Sequence, residues 1–140
     1  MMEKDRELIE AALAARHKAY TPYSHWQVGA ALLSEDGEVF TGCNIENAAY
    51  TPTNCAERTA LFKAVSEGAR RFTAVAVVGG PEGSEPKELC PPCGVCRQAL
   101  REFVDPETFR VVLGAADPAK TVVRTLAELL PESFGPAFLC

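Results

Sequence analysis

Two short cysteine motifs, far apart in the chain, constrain the fold more than any other feature of this sequence. They are Cys55-Ala56-Glu57 and Pro92-Cys93-Gly94-Val95-Cys96. Each lies where a helical pattern begins, and a cysteine pair at positions i and i+3 across a helix N-terminus can bind one ion. The partial positive charge of a helix N-terminus also stabilises thiolates. For three thiols to meet at one ion, the two helix starts must lie side by side.

Hydrophobic periodicity alternates between helical and strand patterns along the chain. The helical spacing of apolar residues predicts helices over residues 4–19, 55–67, 94–103 and 125–130. Apolar and β-branched runs predict strands over residues 26–33, 38–41, 72–78, 109–113 and 121–123. Helices interspersed with strands are typical of an α/β fold, here a three-layer α/β/α sandwich. No repeat, linker or low-complexity segment divides the sequence, so residues 1–140 are expected to form a single domain.

Three local patterns refine this prediction. The turn residues 34–37 predict a β-hairpin between the first two strands. The nearly continuous apolar run 72–78 predicts a central strand that is buried on both faces. Residues 42–53 show little periodicity and predict an ordered loop, which leads to Asn54 as a helix N-cap. Loops in such positions often carry ligand contacts.

The composition excludes several classes of function. The 140 residues include 14 basic and 19 acidic side chains, with no basic run that could follow a phosphate backbone, so no nucleic acid partner is expected. The apolar stretches are far shorter than the roughly 20 residues that span a bilayer, so no membrane partner is expected either. The N-terminus lacks the pattern of a secretory signal, which favours a cytoplasmic location. In that reducing compartment, six cysteines indicate metal binding or catalysis before disulfides.

Zinc is the metal that three thiols beside a carboxylate favour. With three protein ligands, zinc keeps a fourth position for water and lowers the pKa of that water, whereas four ligands usually serve the fold alone. Glu57 follows Cys55 by two residues on the same helical turn, so its carboxylate can reach the fourth position without occupying it. It could take a proton from the water and return it to a ring nitrogen and then to a leaving amine. This chemistry is hydrolytic deamination, and the motifs match the known signature of zinc deaminases with Cys in place of His.

The sequence closely resembles the small, single-domain cytidine deaminases of pyrimidine salvage from about Tyr20 to Pro136. The segments that carry the resemblance are Tyr20-Thr21-Pro22-Tyr23-Ser24, Val28-Gly29-Ala30-Ala31-Leu32, Gly42-Cys43-Asn44-Ile45-Glu46-Asn47-Ala48-Ala49-Tyr50, Cys55-Ala56-Glu57-Arg58-Thr59-Ala60, Pro92-Cys93-Gly94-Val95-Cys96-Arg97-Gln98 and Leu129-Leu130-Pro131-Glu132-Ser133-Phe134. The resemblance implies a mixed sheet of about five strands and conversion of cytidine and deoxycytidine to uridine and deoxyuridine with release of ammonia.

The resemblance also implies roles for individual residues. It assigns zinc (Zn2+) to Cys55, Cys93 and Cys96, and it makes Glu57 the proton shuttle. Asn44 and Glu46 would hold the ribose hydroxyls of the nucleoside. Their side chains, two residues apart in an extended segment, would point the same way and offer a donor and an acceptor.

A cysteine as first zinc ligand resembles the homotetrameric branch of the family. Three thiolates leave a divalent ion with net negative charge, so a neighbouring group must withdraw electron density from the sulfurs, and the resemblance assigns this to Arg58. It implies further nucleoside contacts from Tyr50, Ala56, Trp26 and Phe134. Trp26 stands where the family commonly has Phe. The aromatic side chain at the position of Phe134 serves a neighbouring subunit in the homotetramer.

Other interpretations stay open at this point. In one, Cys90 joins the other three thiols in the structural zinc site of a non-enzymatic module whose surface binds a partner. In another, the same zinc chemistry acts on a different cytosine-bearing compound, such as a nucleoside antibiotic. Related enzymes also act on bases of RNA or DNA, but the acidic charge balance disfavours such a substrate.

Overall fold

Five strands form one mixed sheet. The computed structural model describes residues 2–140, and its strands are β1 (Trp26–Ser34), β2 (Val39–Cys43), β3 (Phe72–Pro81), β4 (Arg110–Leu113) and β5 (Val122–Thr125). Their order in the sheet is β2-β1-β3-β4-β5. Strand β3 pairs parallel with β4, and every other neighbouring pair is antiparallel. The prediction of a central strand over residues 72–78 is therefore confirmed, as is the hairpin of β1 and β2.

Helices cover both faces of this sheet. They are α1 (Glu3–Arg16), α2 (Ala56–Ser66), α3 (Gly94–Arg101) and α4 (Leu126–Leu129), and a short 3-10 helix follows at Pro136–Phe138. Helix α1 packs through Leu8, Ile9 and Ala12 on one face, where the strands present mostly alanine and valine. The buried side chains of α2, α3 and α4 belong to the core on the other face. This arrangement is the predicted α/β/α sandwich.

Two glycines let the edge of the sheet approach its helices closely. A Cβ atom on Gly29 of β1 would lie 2.0 Å from the carbonyl oxygen of Ala12. A Cβ atom on Gly42 of β2 would lie 2.5 Å from the carbonyl oxygen of Ala56 in the first turn of α2. Real Cβ atoms do not make contacts this short, so at these two positions each helix lies directly against the backbone of its strand.

The structure corrects several predicted boundaries. Cys55, with φ −76° and ψ 159°, is the N-cap residue of α2, so the prediction of Asn54 as N-cap was wrong by one residue. The Asn54 side chain instead donates to Thr59 Oγ1 at 3.2 Å. Helix α1 ends at Arg16 rather than at residue 19, because the chain continues in tight turns towards Tyr20. Within residues 2–140, no helix has the length and apolar character needed to cross a membrane.

Candidate active site

The starts of α2 and α3 bring three thiols together on one side of the sheet. Cys55 is the N-cap residue of α2, Cys93 is the N-cap residue of α3, and Cys96 lies in the first turn of α3. The Sγ atoms of Cys55 and Cys93 are 3.6 Å apart, as are those of Cys93 and Cys96. All three sulfurs lie within 4.8 Å of one another. Cys96 is fully buried and Cys93 is exposed, so the cluster opens outwards.

This donor set fits a zinc ion. Two sulfurs that are each about 2.3 Å from a tetrahedral zinc ion lie about 3.8 Å apart, which is close to the spacing observed here. Among residues 2–140, the group of side chains that could hold a metal comprises Cys55, Cys93 and Cys96. Cys90 lies outside this group, so the structure does not support a four-thiol structural site. Three ligands leave room for a fourth partner at the ion.

The thiols of Cys55 and Cys96 have pKa values that are shifted in opposite directions. A hydrogen bond from Cys96 and the nearby Arg58 guanidinium lower the pKa of Cys55 to about 5, although burial acts in the opposite sense. The same bond to Cys55, together with burial, raises the pKa of Cys96. Nη2 of Arg58 donates to Cys55 Sγ at 3.4 Å. The Arg58 guanidinium therefore places a permanent positive charge directly beside the sulfur cluster. The family resemblance implies this position for Arg58.

Glu57 is a buried carboxylate next to this cluster. It is 4% exposed and stands in the first turn of α2. Burial raises the pKa of Glu57 to about 7, and the negative charge of Cys55 adds to this effect. A carboxyl group with this pKa can both accept and donate a proton near neutral pH.

Glu57 and the outer thiols line a cavity of about 410 Å³. The residues that line it come from β1 and the loop before it, the loop after β2, the start of α2, the centre of β3 and the loop before α3. They are Ser24, Trp26, Val28, Asn44, Glu46, Thr53, Asn54, Cys55, Ala56, Glu57, Val77, Cys90, Pro91 and Cys93. The cavity lining thus combines apolar side chains with carboxylates, an amide and thiols. Its size suits a small organic molecule.

Asn44 and Glu46 face this cavity and are held by hydrogen bonds. Asn44 Oδ1 accepts from Val28 N at 2.9 Å, and Asn44 Nδ2 donates to Trp26 O at 2.8 Å. Glu46 Oε1 accepts from Tyr23 N at 2.9 Å and from Ser24 N at 3.1 Å, and Ser24 Oγ donates to Glu46 Oε2. The Ser24 hydrogen bond lowers the pKa of Glu46, so this carboxylate is ionised at neutral pH.

Comparison with known proteins identifies the family. The family model for the cytidine and deoxycytidylate deaminase zinc-binding region matches residues 2–114. A cytidine deaminase from Halalkalibacterium halodurans is 52% identical over 93% of this chain and 94% of its own length. One from Sporosarcina psychrophila is 49% identical over 91% of this chain and 89% of its own length. The chain belongs to the cytidine deaminase family.

A solved structure from the same family supports the fold. The crystal structure of cytidine deaminase from Burkholderia pseudomallei superposes with a TM-score of 0.83 and is 49% identical, covering 96% of this chain and 100% of that one. Membership of the cytidine deaminase family makes this chain an enzyme of the zinc-dependent hydrolase class. Zinc is its cofactor, in agreement with the three-cysteine cluster.

Two residues that were predicted to contact the nucleoside, Tyr50 and Phe134, do not line this cavity. Within residues 2–140, Tyr50 and Phe134 are outside the cavity, with 76% and 55% of their surfaces exposed. Tyr50 has a positive φ of 64°, and the ring of Phe134 stacks on that of Phe138 at 5.2 Å. Trp26 and Ala56 line the cavity, and their contact with a nucleoside stays a prediction. One chain therefore brings only some of the residues that were predicted to contact a nucleoside to this cavity.

Sequence reasoning assigned no site role to several residues that line this cytidine deaminase cavity. Ser24 supports Glu46, and Val28 and Val77 supply apolar surface. Ser24 lies within a segment that carries the family resemblance, so this signal was available. Val77 stands in the middle of β3, where the apolar pattern indicates only a buried strand.

Proposed function

We propose that this chain hydrolyses cytidine and deoxycytidine to uridine and deoxyuridine, with release of ammonia. The observation that carries the proposal is a buried carboxylate, Glu57, beside a three-thiol cluster, in a cavity of about 410 Å³ that Asn44 and Glu46 also line. Two groups of lining residues form a thiol wall (Cys55, Glu57 and Cys93) and a sugar wall (Trp26, Asn44 and Glu46). We treat residues 1–140 as one catalytic unit.

The thiol wall supplies the reactive groups. Cys55, Cys93 and Cys96 would hold the zinc ion, which when bound polarises water and lowers its pKa. Arg58, through its hydrogen bond to Cys55 Sγ, draws electron density away from one of these sulfurs. The positive ends of α2 and α3 act in the same direction, because Cys55 and Cys93 stand at the helix N-termini.

Glu57 moves the proton. Its carboxylate accepts a proton from the attacking water while the water oxygen bonds to C4 of cytosine. The carboxyl group then donates this proton to N3 of the ring. The second water proton goes to the amino nitrogen, the bond between C4 and nitrogen breaks, and ammonia leaves as the C4 carbonyl forms. The pKa of about 7 suits both directions of transfer.

The sugar wall orients the nucleoside. Glu46 is ionised and accepts hydrogen bonds, so it can accept one from a ribose hydroxyl as well. Asn44 offers the complementary amide, and the indole of Trp26 supplies aromatic surface beside it. Because both walls are tied to the same sheet, the sugar contacts place the base at a set distance from Glu57.

The remaining contacts would come from assembly. We propose a homotetramer in which Phe134 and Tyr50, both exposed on one chain, complete the nucleoside site of a neighbouring chain. A role in pyrimidine salvage and a cytoplasmic location stay predictions from the sequence.

The test is an ultraviolet assay of cytidine conversion by zinc-loaded protein, with Glu57→Gln beside it. The amide keeps the shape of the side chain but cannot carry the proton, so the rate should fall by about 10²–10⁴-fold. A matched control is Glu67→Gln, which alters the residue at the C-terminal end of the same helix, away from the cavity. It should keep the parental rate.

A panel of cytidine, deoxycytidine and other cytosine-bearing nucleosides defines the substrate range. Turnover of the first two compounds supports the proposal. Turnover of a different cytosine compound alone would keep the chemistry and change the substrate. Full activity in Glu57→Gln, or no turnover of any panel member by folded and zinc-loaded protein, contradicts the proposal.

A further inference from the structure

A buried arginine joins the end of α1 to the end of the sheet that carries the sugar wall. Arg16 is the last residue of α1 and is only 2% exposed. Its Nε donates to Gln27 O at 3.0 Å. Its Nη2 donates to Gly80 O at 3.0 Å and to Pro81 O at 2.7 Å. One guanidinium thus bonds to the start of β1 and the end of β3.

These three carbonyl groups belong to one paired segment of the sheet. In the register of the two strands, Trp26 lies opposite Pro81, and Gln27 lies opposite Gly80. The guanidinium therefore bridges the strand pair at the point where the sheet meets the cavity. The short approach of α1 at Gly29, where a Cβ atom would lie 2.9 Å from the Cβ of Arg16, leaves the helix little freedom to shift.

Burying this cation is costly. Burial lowers the pKa of Arg16, and the nearby negative charge of Glu85 only partly opposes this. A long apolar side chain would fill the same space without desolvating a charge. What the guanidinium adds is three directed hydrogen bonds, which specify the position of the strand ends.

The same strand segment is held from the cavity side by Asn44. Trp26 O accepts from Asn44 Nδ2, and Gln27 O, the next carbonyl group along β1, accepts from Arg16 Nε. Val28 N then donates to Asn44 Oδ1. The backbone of three consecutive β1 residues is therefore held by two side chains. Asn44 bonds to the first and the third residue, and Arg16 of α1 bonds to the second.

Resting on the proposed deaminase function, we propose that Arg16 is a positioning residue for nucleoside binding. It touches no substrate. It holds the backbone on which the Trp26 indole stands and to which Asn44 is bonded, and so sets the distance between the sugar wall and Glu57. Loss of the guanidinium would loosen the sugar wall and leave the thiol wall, which the starts of α2 and α3 support, in place.

The test compares Arg16→Met and Arg16→Lys with the parent protein. Arg16→Met should raise KM for cytidine by about tenfold, while kcat changes by less than about threefold. Arg16→Lys keeps a hydrogen-bond donor, so its KM should lie between those of the parent and Arg16→Met. Arg6→Met is the matched control on the same helix, because Arg6 is exposed and pairs with the exposed Glu10 at 3.8 Å. It should leave both constants unchanged.

Tryptophan emission gives a second measurement that does not depend on turnover. Trp26 is the only tryptophan in the sequence, so the intrinsic fluorescence reports on the sugar wall. Arg16→Met should shift the emission to longer wavelength and make it more accessible to a neutral quencher. Arg6→Met should match the parent.

The outcomes separate this inference from the proposed function. An unchanged KM with unchanged Trp26 emission in folded Arg16→Met overturns the positioning role, and so does a loss confined to kcat. If Arg16→Met does not fold, Arg16→Lys decides, with parental KM and emission counting against the role. If the parent itself fails to turn over cytidine, the proposed function fails, and the emission still shows whether Arg16 holds the sugar wall.

Discussion

The two walls of the cavity are supported in different ways. The thiol wall stands at the first turns of α2 and α3, so the helix backbones determine where its side chains lie. The sugar wall stands on β1 and the loop after β2, and side-chain hydrogen bonds from Asn44, Ser24 and Arg16 hold it. Reactive groups are thus placed by regular secondary structure, whereas recognition groups are placed by a network of bonds between distant segments. Damage to the first wall should abolish the reaction, and damage to the second should weaken binding.

The largest effect is expected from the innermost thiol. Cys96→Ser removes a fully buried sulfur from the cluster, so zinc binding should weaken and deamination should fall by at least about 10³-fold. Zinc per chain, measured by atomic absorption after dialysis, checks this directly. Cys140→Ser, which changes an exposed cysteine outside the cluster, should keep zinc and activity. Retention of both by Cys96→Ser would contradict the assignment of the three-thiol cluster as the zinc site.

A smaller effect, seen mainly in KM, is expected on the sugar wall. Asn44→Ala removes both hydrogen bonds to β1, so KM for cytidine should rise by about 10- to 100-fold while zinc content stays at the parental level. Asn44→Asp keeps the acceptor for Val28 N and loses the donor to Trp26 O. It should lie between the parent and the alanine variant. Loss of zinc in Asn44→Ala would show that the two walls are not independent.

Ser24→Ala should have a milder effect that depends on pH. The Ser24 hydroxyl group lowers the pKa of Glu46, so its removal raises that pKa towards the ordinary range. The variant carboxylate then gains a proton at higher pH than the parent carboxylate as the solution is acidified. KM should rise by about threefold at neutral pH and by more at acid pH, where the two profiles diverge. Parallel profiles of KM against pH would exclude a role for this hydrogen bond.

The smallest effect is expected at Cys90. Its side chain lines the cavity beside Pro91 but lies outside the sulfur cluster, so Cys90→Ser should keep zinc and leave KM within about twofold. Zinc analysis and cytidine kinetics on one preparation are sufficient. A large loss of zinc in Cys90→Ser would instead support the interpretation in which Cys90 is a fourth ligand of a structural zinc ion.

Each half of the sulfur cluster could be predicted from the sequence because its geometry is local. Cys93 and Cys96 are one helical turn apart, and Glu57 follows Cys55 within another first turn, so spacing predicts the groups within each half. The fold brings the two halves together. The central strand and the hairpin could also be predicted, because an apolar run and a group of turn residues are local patterns too. The N-cap was misplaced by one residue because Asn54 is the better capping residue by type, although the chain turns into the helix at Cys55.

The supports of the sugar wall were beyond local reasoning. Arg16 follows Leu8 and Ala12 at intervals of four residues on the buried face of α1, so the helical spacing indicates its burial. Its hydrogen-bond acceptors are 11, 64 and 65 residues away along the chain, and only the folded sheet brings them to it. Tyr50 and Phe134 were expected at the site through family resemblance, and a single chain leaves both exposed.

The sulfur cluster joins two parts of the chain that are 38 residues apart, with β3 between them. Closing a loop of this length costs chain entropy. The free energy of strand pairing offsets this cost and brings Cys55 to the other two thiols. Of the three thiols in the cluster, only Cys93 and Cys96 are close together along the unfolded chain. A metal that prefers the completed cluster shifts the folding equilibrium towards the native state. Zinc supply during synthesis should therefore influence how much of this protein accumulates, as well as how active each molecule is.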